Sequence, residues 1–583
     1  MSASPPAHRH EVGTLDELRE AGHTVVRADG RAILVVHHDG EVFAVDNRCP
    51  HMGFPLARGT VDDGVLTCHW HHARFALSCG DTFDPWADDV PSYPVTVEDG
   101  VVYVDPHPAA ERPPAERWGE RLDDGLERNL RLVVAKAVIG LLDAGVAPTD
   151  PVTSGVRFGT RYRADGWGPG LTILTAMANV LPALSSEDRK RALYQGLVEV
   201  AGDCAGEPPR FDQDAFADRD LSRDRLTTWL RDTVEVRDSD GAERCLRTAI
   251  AAGYDDDALA GLLLTAATDH RYLDGGHTMD FVNKACEALD HVGWDDADEV
   301  LPALVTSLTE ATRSEELSSW RQPVDLATRL TETFDRLDAL IERGDGREWS
   351  EPDGFVETLL ADDHEQVVGG LEDAIAAGAS PTDLADAVAM AAATRVAQFS
   401  TANEFSDWDT VHHTFTYSNA VHALTERVSD ADHAGYRAVF DGAVNVYLDR
   451  FLNSPPAAAP DPTVGADEDV DGLLDALDET MHREGSVDEA GRLAARVLAA
   501  DGDPARLKRR LGAALVREDA GFHTFQALEA GFAQADRRTG PARRTCLVAV
   551  ARYLAAHAPT RREREQTFTI AARLHRGETI HEE

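Results

Sequence analysis

DNRCPHMGFPLARGTVDDGVLTCHWHHARFALSCG, residues 46–80, holds two short donor runs, Cys49-Pro50-His51 and Cys68-His69-Trp70-His71, with sixteen residues between them. Each run offers one thiol and one imidazole. Two thiolates suit a ferric iron that stays buried, and two imidazoles suit an outer iron whose potential they raise, so Cys49, His51, Cys68 and His71 are candidate ligands of a 2Fe-2S cluster. Zinc also accepts two Cys and two His. Against zinc stand the short Cys-x-His pair and the strand patterns on both sides, which zinc fingers rarely combine. Loops of this kind need backbone freedom and N–H groups aimed at sulfur, which Gly53, Pro55, Gly59 and Gly80 are placed to provide.

Outward from these runs, residues 32–104 alternate short apolar segments with turn pairs: AILVV, DG, EVFAVD, DDG, VLTCHW, then YPVTV, EDG and VVYV. That pattern predicts small antiparallel strands joined by tight turns. After Asp105 the texture changes to PHPAAERPPAERW, rich in proline and charge as linkers are, and then to Ala- and Leu-rich runs of helical spacing. The reading is a small all-β domain over 8–106, a linker over 107–120 and a large all-α domain over 121–583.

The β segment resembles the Rieske ferredoxins through DNRCPHMGFPLARGTVDDG, LTCHWHHARFALSCG and YPVTVEDGVVYV. The resemblance covers residues 8–106 and implies a 2Fe-2S cluster on the four residues above. It is to the low-potential ferredoxin and oxygenase type. Respiratory-complex members add a cysteine pair that crosslinks the two loops, and here Phe54 and Trp70 stand in those slots. One departure is His72, where the family usually has glycine. Cys79 precedes Gly80 in a turn and is read as a buried structural thiol, like Cys204, Cys245, Cys286 and Cys546.

The remainder contains an internal repeat. TAIAAG (248–253), a second helix and DHRYLDGGHTMDFVNKACEAL (269–289) recur as DAIAAG (373–378), an Ala-rich helix and DWDTVHHTFTYSNAVHAL (407–424). His277 thus corresponds to His413, and Asn283 to Asn419. A shorter echo, GFHTFQALEAG (521–531), puts His523 in the same slot, whereas the earliest copy, GLLDAG (140–145) followed by GPGLTILTAMANVL, has Leu171 there. About four related helical units follow, roughly 121–205, 221–320, 350–455 and 468–560, each with an apolar face that only its neighbours can cover.

If the units share an axis, His277, His413 and His523 converge, and imidazoles without thiolate suit a mononuclear non-haem iron. His270 and His412, with Asp274 and Asp409, lie where they could complete or orient that shell. Asp280 and Lys284 share a helix face with His277 and are the candidate catalytic residues. The recurrence equally fits histidines that only cap or hydrogen-bond within a repeated fold. The D-x-x-H-x-x-x-x-H iron motif of Rieske oxygenases is absent from this sequence. Helical units with recurrent histidines resemble the questin oxidase-like family, which implies oxidation of aromatic polyketide-type substrates.

Composition limits the partners. The formal charge is −46, from 103 acidic against 57 basic residues, and only Lys136, Lys190, Lys284 and Lys508 are lysines. So large an excess destabilises a compact state by self-repulsion unless salt shortens the Debye length, to ~3 Å at molar concentration. A halophilic, salt-rich cytoplasm is the expectation, with nucleic acid and membrane excluded as partners. No run reaches the ~18–20 apolar residues of a membrane span, and MSASPPAHRH lacks the apolar core of a signal peptide. The functional expectation is an oxidoreductase: a ferredoxin or flavin reductase reduces the cluster, which feeds oxidation of a small aromatic substrate at the second metal. The alternative is a non-enzymatic electron carrier whose helices are a partner-docking scaffold.

Overall fold

A computed structural model describes residues 9–109, 113–217, 221–404, 406–429, 432–461, 468–500, 503–578 and 580. The chain divides into two compact units, residues 1–151 with 566–583, and residues 152–565.

The first unit begins with nine strands: β1 (His10–Thr14), β2 (His23–Ala28), β3 (Arg31–His38), β4 (Glu41–Asp46), β5 (Thr60–Asp62), β6 (Val65–Thr67), β7 (Arg74–Ala76), β8 (Val95–Glu98) and β9 (Val101–Val104). They form three antiparallel sheets, ordered β1-β9-β8, β2-β3-β4 and β5-β6-β7. The turn pairs read from sequence close the hairpins: Asp29-Gly30, Asp39-Gly40, Asp63-Gly64 and Asp99-Gly100 all have positive φ at both residues, as a type I′ turn requires. In β3 the alternation of side chains feeds two cores. Leu34 and Val36 join Cys49, Cys68, Leu66 and Phe75. Ile33 and Val35 join Ala44, Val102 and Val104 on the opposite side.

Helix α1 (Leu15–Ala21) starts at a Thr14–Glu17 capping box. The expected linker is partly helical, because α2 (Pro114–Glu127) begins with proline at its first turn, where the missing N–H costs nothing. Helix α3 (Arg131–Asp143) packs on α2 so closely that a β-carbon on Gly140 would lie 2.3 Å from the Trp118 ring. The division therefore falls later than the texture of the sequence suggests: α2 and α3 belong to the first unit, and so does the C-terminal segment, where the carbonyls of Leu574 and Glu578 accept from Arg48 at 2.9 and 2.5 Å.

Among the described residues of the second unit, the regular elements are all helices. Helices start where Ser or Asp side chains accept the otherwise unpaired N–H groups, as at Ser185, Asp255 and Ser380. At its centre the four repeat-bearing helices, Pro169–Val180, His277–Val292, Asp407–Arg427 and Phe522–Asp536, pack each on the next in chain order, and the last returns to the first. No described helix is long and apolar enough to cross a membrane.

Candidate metal centres

The first centre lies on two loops of the β unit. Cys49, just after β4, sits in a turn closed by Cys49 N–H to the Phe54 carbonyl (2.9 Å) and Gly53 N–H to the Cys49 carbonyl (2.7 Å). Cys68, between β6 and β7, sits in a second turn closed by Cys68 N–H to the Ala73 carbonyl (2.8 Å) and His72 N–H to the Cys68 carbonyl (3.0 Å). The turns face each other. Both thiols are buried and free, and they lie within hydrogen-bond reach of one another. His51 and His71 meet with ring centroids 4.8 Å apart. Thiols thus pair with thiols and imidazoles with imidazoles, the division that a two-iron cluster needs.

Electrostatics at Cys49, Cys68 and His51 suits metal binding. The Cys49–Cys68 hydrogen bond lowers the Cys68 thiol to about 6, with help from the Trp70 and His71 N–H groups. That bond, with burial, raises the Cys49 thiol, so the pair gives up its first proton readily. The N–H groups of His51 and Met52 also point at Cys49 sulfur. Burial, then the His71 ring and Lys136, lowers His51 to about 4, which keeps it in the neutral, ligating form. Phe54 and Trp70 touch across the loops, ring centroids 5.8 Å apart, so an aromatic contact links the two turns at the positions noted from sequence as lacking a cysteine pair.

Glycine is structurally required at one support of this site. Gly80 has φ +84°, and a β-carbon there would lie 1.8 Å from the Val90 carbonyl oxygen. His72 adopts φ +63° without being glycine, which explains why glycine is usual at that position. Cys79 is exposed, not buried as expected. The sequence reading missed Trp86, stacked edge-on against His51 at 4.7 Å, and Asp88 with Lys136 beneath the first loop.

The second centre lies in the helical unit. Donor atoms of His277, His413 and His523 all fall within 4.8 Å of one another, the one set of three such donors among the described residues. His413 Nε2 and His523 Nε2 face each other at 3.0 Å. On its other side, His523 Nδ1 lies 3.2 Å from Asp409, which also accepts from the Tyr553 hydroxyl at 3.0 Å. An imidazole that donates through Nδ1 presents a bare Nε2, the form a metal binds. Burial, with the neighbouring rings, lowers His277 to about 4 and His413 to about 3. Three imidazoles converge with no carboxylate among the donors, a set suited to a borderline divalent metal.

The remaining candidates lie around this triad or apart from it. His277 and His523 occupy the first and second positions of their helices, while His413 sits a turn and a half inside its own. His412 is buried beside His523, ring centroids 5.2 Å apart, and burial holds its pKa well below the ordinary value. His270 stands outside the set: its Nδ1 pairs with Glu315 at 2.8 Å, and Glu235 lies 2.8 Å from its Nε2. Asp280 accepts from Gln526 Nε2 and is raised to about 7 by burial. Lys284 bonds neither Asp280 nor the triad. Its ammonium donates to Glu287 (2.7 Å) and Glu529 (2.8 Å), and Asn179 of the first repeat helix donates to both carboxylates.

His413 also lines a cavity of about 470 Å³, together with Tyr272, Trp320, Tyr447, Phe451 and Asp449. Asp449 is buried, its Oδ2 has no hydrogen-bond partner, and burial raises its pKa well above the usual carboxylate value. The aromatic side chains share this wall with Ser314, Gln322, Thr414 and Asn445, so the cavity offers a ligand both apolar area and hydrogen-bonding groups.

The family model for the Rieske [2Fe-2S] domain matches residues 8–94. The 3-phenylpropionate/cinnamic acid dioxygenase ferredoxin subunit of Photorhabdus laumondii is 37% identical over 95 residues, which cover 16% of this chain and 90% of that protein. The ferredoxin component of the alkene monooxygenase system of Xanthobacter autotrophicus is 31% identical over 99 residues, covering 17% of this chain and 81% of that protein. Human apoptosis-inducing factor 3 is 40% identical over 73 residues, and there the match spans only 12% of either protein.

Proposed function

This chain belongs to the Rieske [2Fe-2S] domain family through its first hundred residues, and from that premise we propose that it is an oxidoreductase whose cluster feeds electrons to a non-haem metal held by His277, His413 and His523. The cluster would be bound by Cys49, His51, Cys68 and His71. A ferredoxin or flavin reductase is the donor this reading assigns, in keeping with relatives that serve as ferredoxin components of oxygenase systems.

The observation that carries the proposal is the meeting of three imidazoles at the wall of a cavity rich in aromatic side chains. A mononuclear iron with open coordination positions supplies oxygen activation when bound there. The chain's own residues do the rest. Asp409 orients His523, and burial keeps protons off His277 and His413. Tyr272, Trp320 and Tyr447 would hold a small aromatic substrate against the His413 side, with the Asp449 carboxyl as its polar contact. Asp280 and Lys284 belong to buried networks that fix the helices carrying the triad. A salt-rich cytoplasm is the setting we assign, since all four lysines are buried and the exposed surface relies on arginine and carboxylates.

Metal analysis of the purified full chain tests this reading. The expected result is a further equivalent of metal beyond the two irons of the cluster. His413→Ala should remove that equivalent and leave the cluster's reduced-state resonance intact. Two irons and nothing more in the wild type would rule the second centre out and leave a carrier with a helical scaffold.

A further inference from the structure

Lys136 comes from α3, outside the residues that match the family model, yet its side chain is 5% exposed and ends at the first ligand loop. The ammonium donates to the Pro50 carbonyl at 2.6 Å and to Asp88 Oδ2 at 3.0 Å. Arg121 of α2 holds the other Asp88 oxygen at 3.0 Å and donates to the Pro85 carbonyl at 2.7 Å. Asp88 is therefore fixed from two sides, and it aims the ammonium at Pro50. A lysine charge taken out of water is costly unless every proton finds an acceptor. Lys136 is one of only four lysines in the chain, and its charge is held where it faces the first ligand loop.

The carbonyl that Lys136 grips belongs to the same amide as the His51 N–H. That N–H is one of the two aimed at Cys49 sulfur. Amide resonance links the two ends. A cation on the oxygen draws electron density out of the nitrogen and makes its N–H a stronger donor, as chained hydrogen bonds polarise one another. A stronger N–H to sulfur bond, and a positive charge nearby, both favour the cluster state that carries one more electron.

We propose that Lys136 is a positioning residue that raises the reduction potential of the cluster by polarising the Pro50–His51 peptide group against Cys49. The helix appended to the Rieske domain thereby tunes the centre it packs upon. The inference rests on the cluster assignment made above, and its test separates the two.

The measurement is a redox titration of the full-length protein at pH 6 and fixed salt, followed by the resonance of the reduced cluster. Lys136→Met should lower the equilibrium constant for reduction about tenfold, a shift of about 59 mV to more negative potential for one electron. Lys136→Arg should keep most of the wild-type value. Asp88→Asn, which keeps an amide oxygen to aim the lysine and removes only the opposing charge, should move the potential the other way. A filled cluster whose potential is unchanged in Lys136→Met would overturn the inference. So would a negative shift in Asp88→Asn, and that variant decides the question alone if Lys136→Met fails to assemble. Loss of the cluster signal from the wild type would instead overturn the assignment.

Discussion

The two centres differ in how the chain builds them. The proposed cluster donors lie within residues 49–71, on two turns of one small β unit, and each turn is closed by its own backbone hydrogen bonds. The histidine triad is drawn from residues 277, 413 and 523, on three helices that meet only because the repeat units pack in a cycle. Local geometry fixes the first site, and packing fixes the second. A site fixed by spacing is readable from one stretch of sequence, whereas a site fixed by packing is readable only through the repeat that aligns its parts.

The sharpest way to break this comparison is to remove one donor from the local site. Cys49→Ser should abolish the cluster, with complete loss of its absorption and reduced-state resonance, because it removes one of the two thiolates that would hold the buried iron. The metal proposed for the histidine triad should remain, since His277, His413 and His523 share no element with the loops. Loss of both metals from Cys49→Ser, measured by metal content, would mean that the two sites are not independently built.

Legibility followed the same division. The donor spacing could be read from residues 46–80 and most of the hairpin turns from residues 32–104, because each depends on neighbours in the chain, whereas the glycine expected at His72 came only from the family resemblance. The convergence of His277, His413 and His523 could be expected only from their equal place in the repeat. Leu171 shows how far that goes: its helix joins the cycle, yet it brings no imidazole. The rest needed distant partners. Glu529 meets Lys284 from another repeat, and nothing in the spacing of either announces it. His270 looked like a ligand by its place before the helix, but two carboxylates hold it elsewhere. Lys136 carried one faint signal, its rarity as a lysine.

The packed site should also respond to pH in a way its buried groups dictate. Asp280 is fully enclosed, and burial raises its folded pKa to about 7 from the ordinary 3.8. A carboxyl whose folded value lies above its unfolded value holds its proton in the native state longer than in the unfolded chain. Its contribution therefore declines as pH rises between about 4 and 7 and is lowest above that. Chemical denaturation at pH 5 and pH 8 of wild type and Asp280→Asn measures this term, since the variant cannot titrate. Relative to the variant, the wild type should lose on the order of 2 kcal/mol across that interval. A difference that stays constant with pH would show that Asp280 ionises normally and that this interior is wetter than its packing implies.

The smallest expected effect belongs to the local site. His72 holds φ +63° in the turn that follows the last cluster ligand, and its side chain is exposed. A residue with a β-carbon pays about 1–2 kcal/mol there, while glycine gives back ~0.5–1 kcal/mol through the greater freedom of its unfolded chain. His72→Gly should therefore stabilise the β unit by roughly 0.5–1 kcal/mol, with cluster content unchanged and the second metal unaffected. His72→Ala is the control, since alanine keeps the β-carbon and should bring no such gain. If alanine stabilised the turn as much as glycine, the backbone angle would not be the cause, and the imidazole itself would be what the turn tolerates poorly in so acidic a chain.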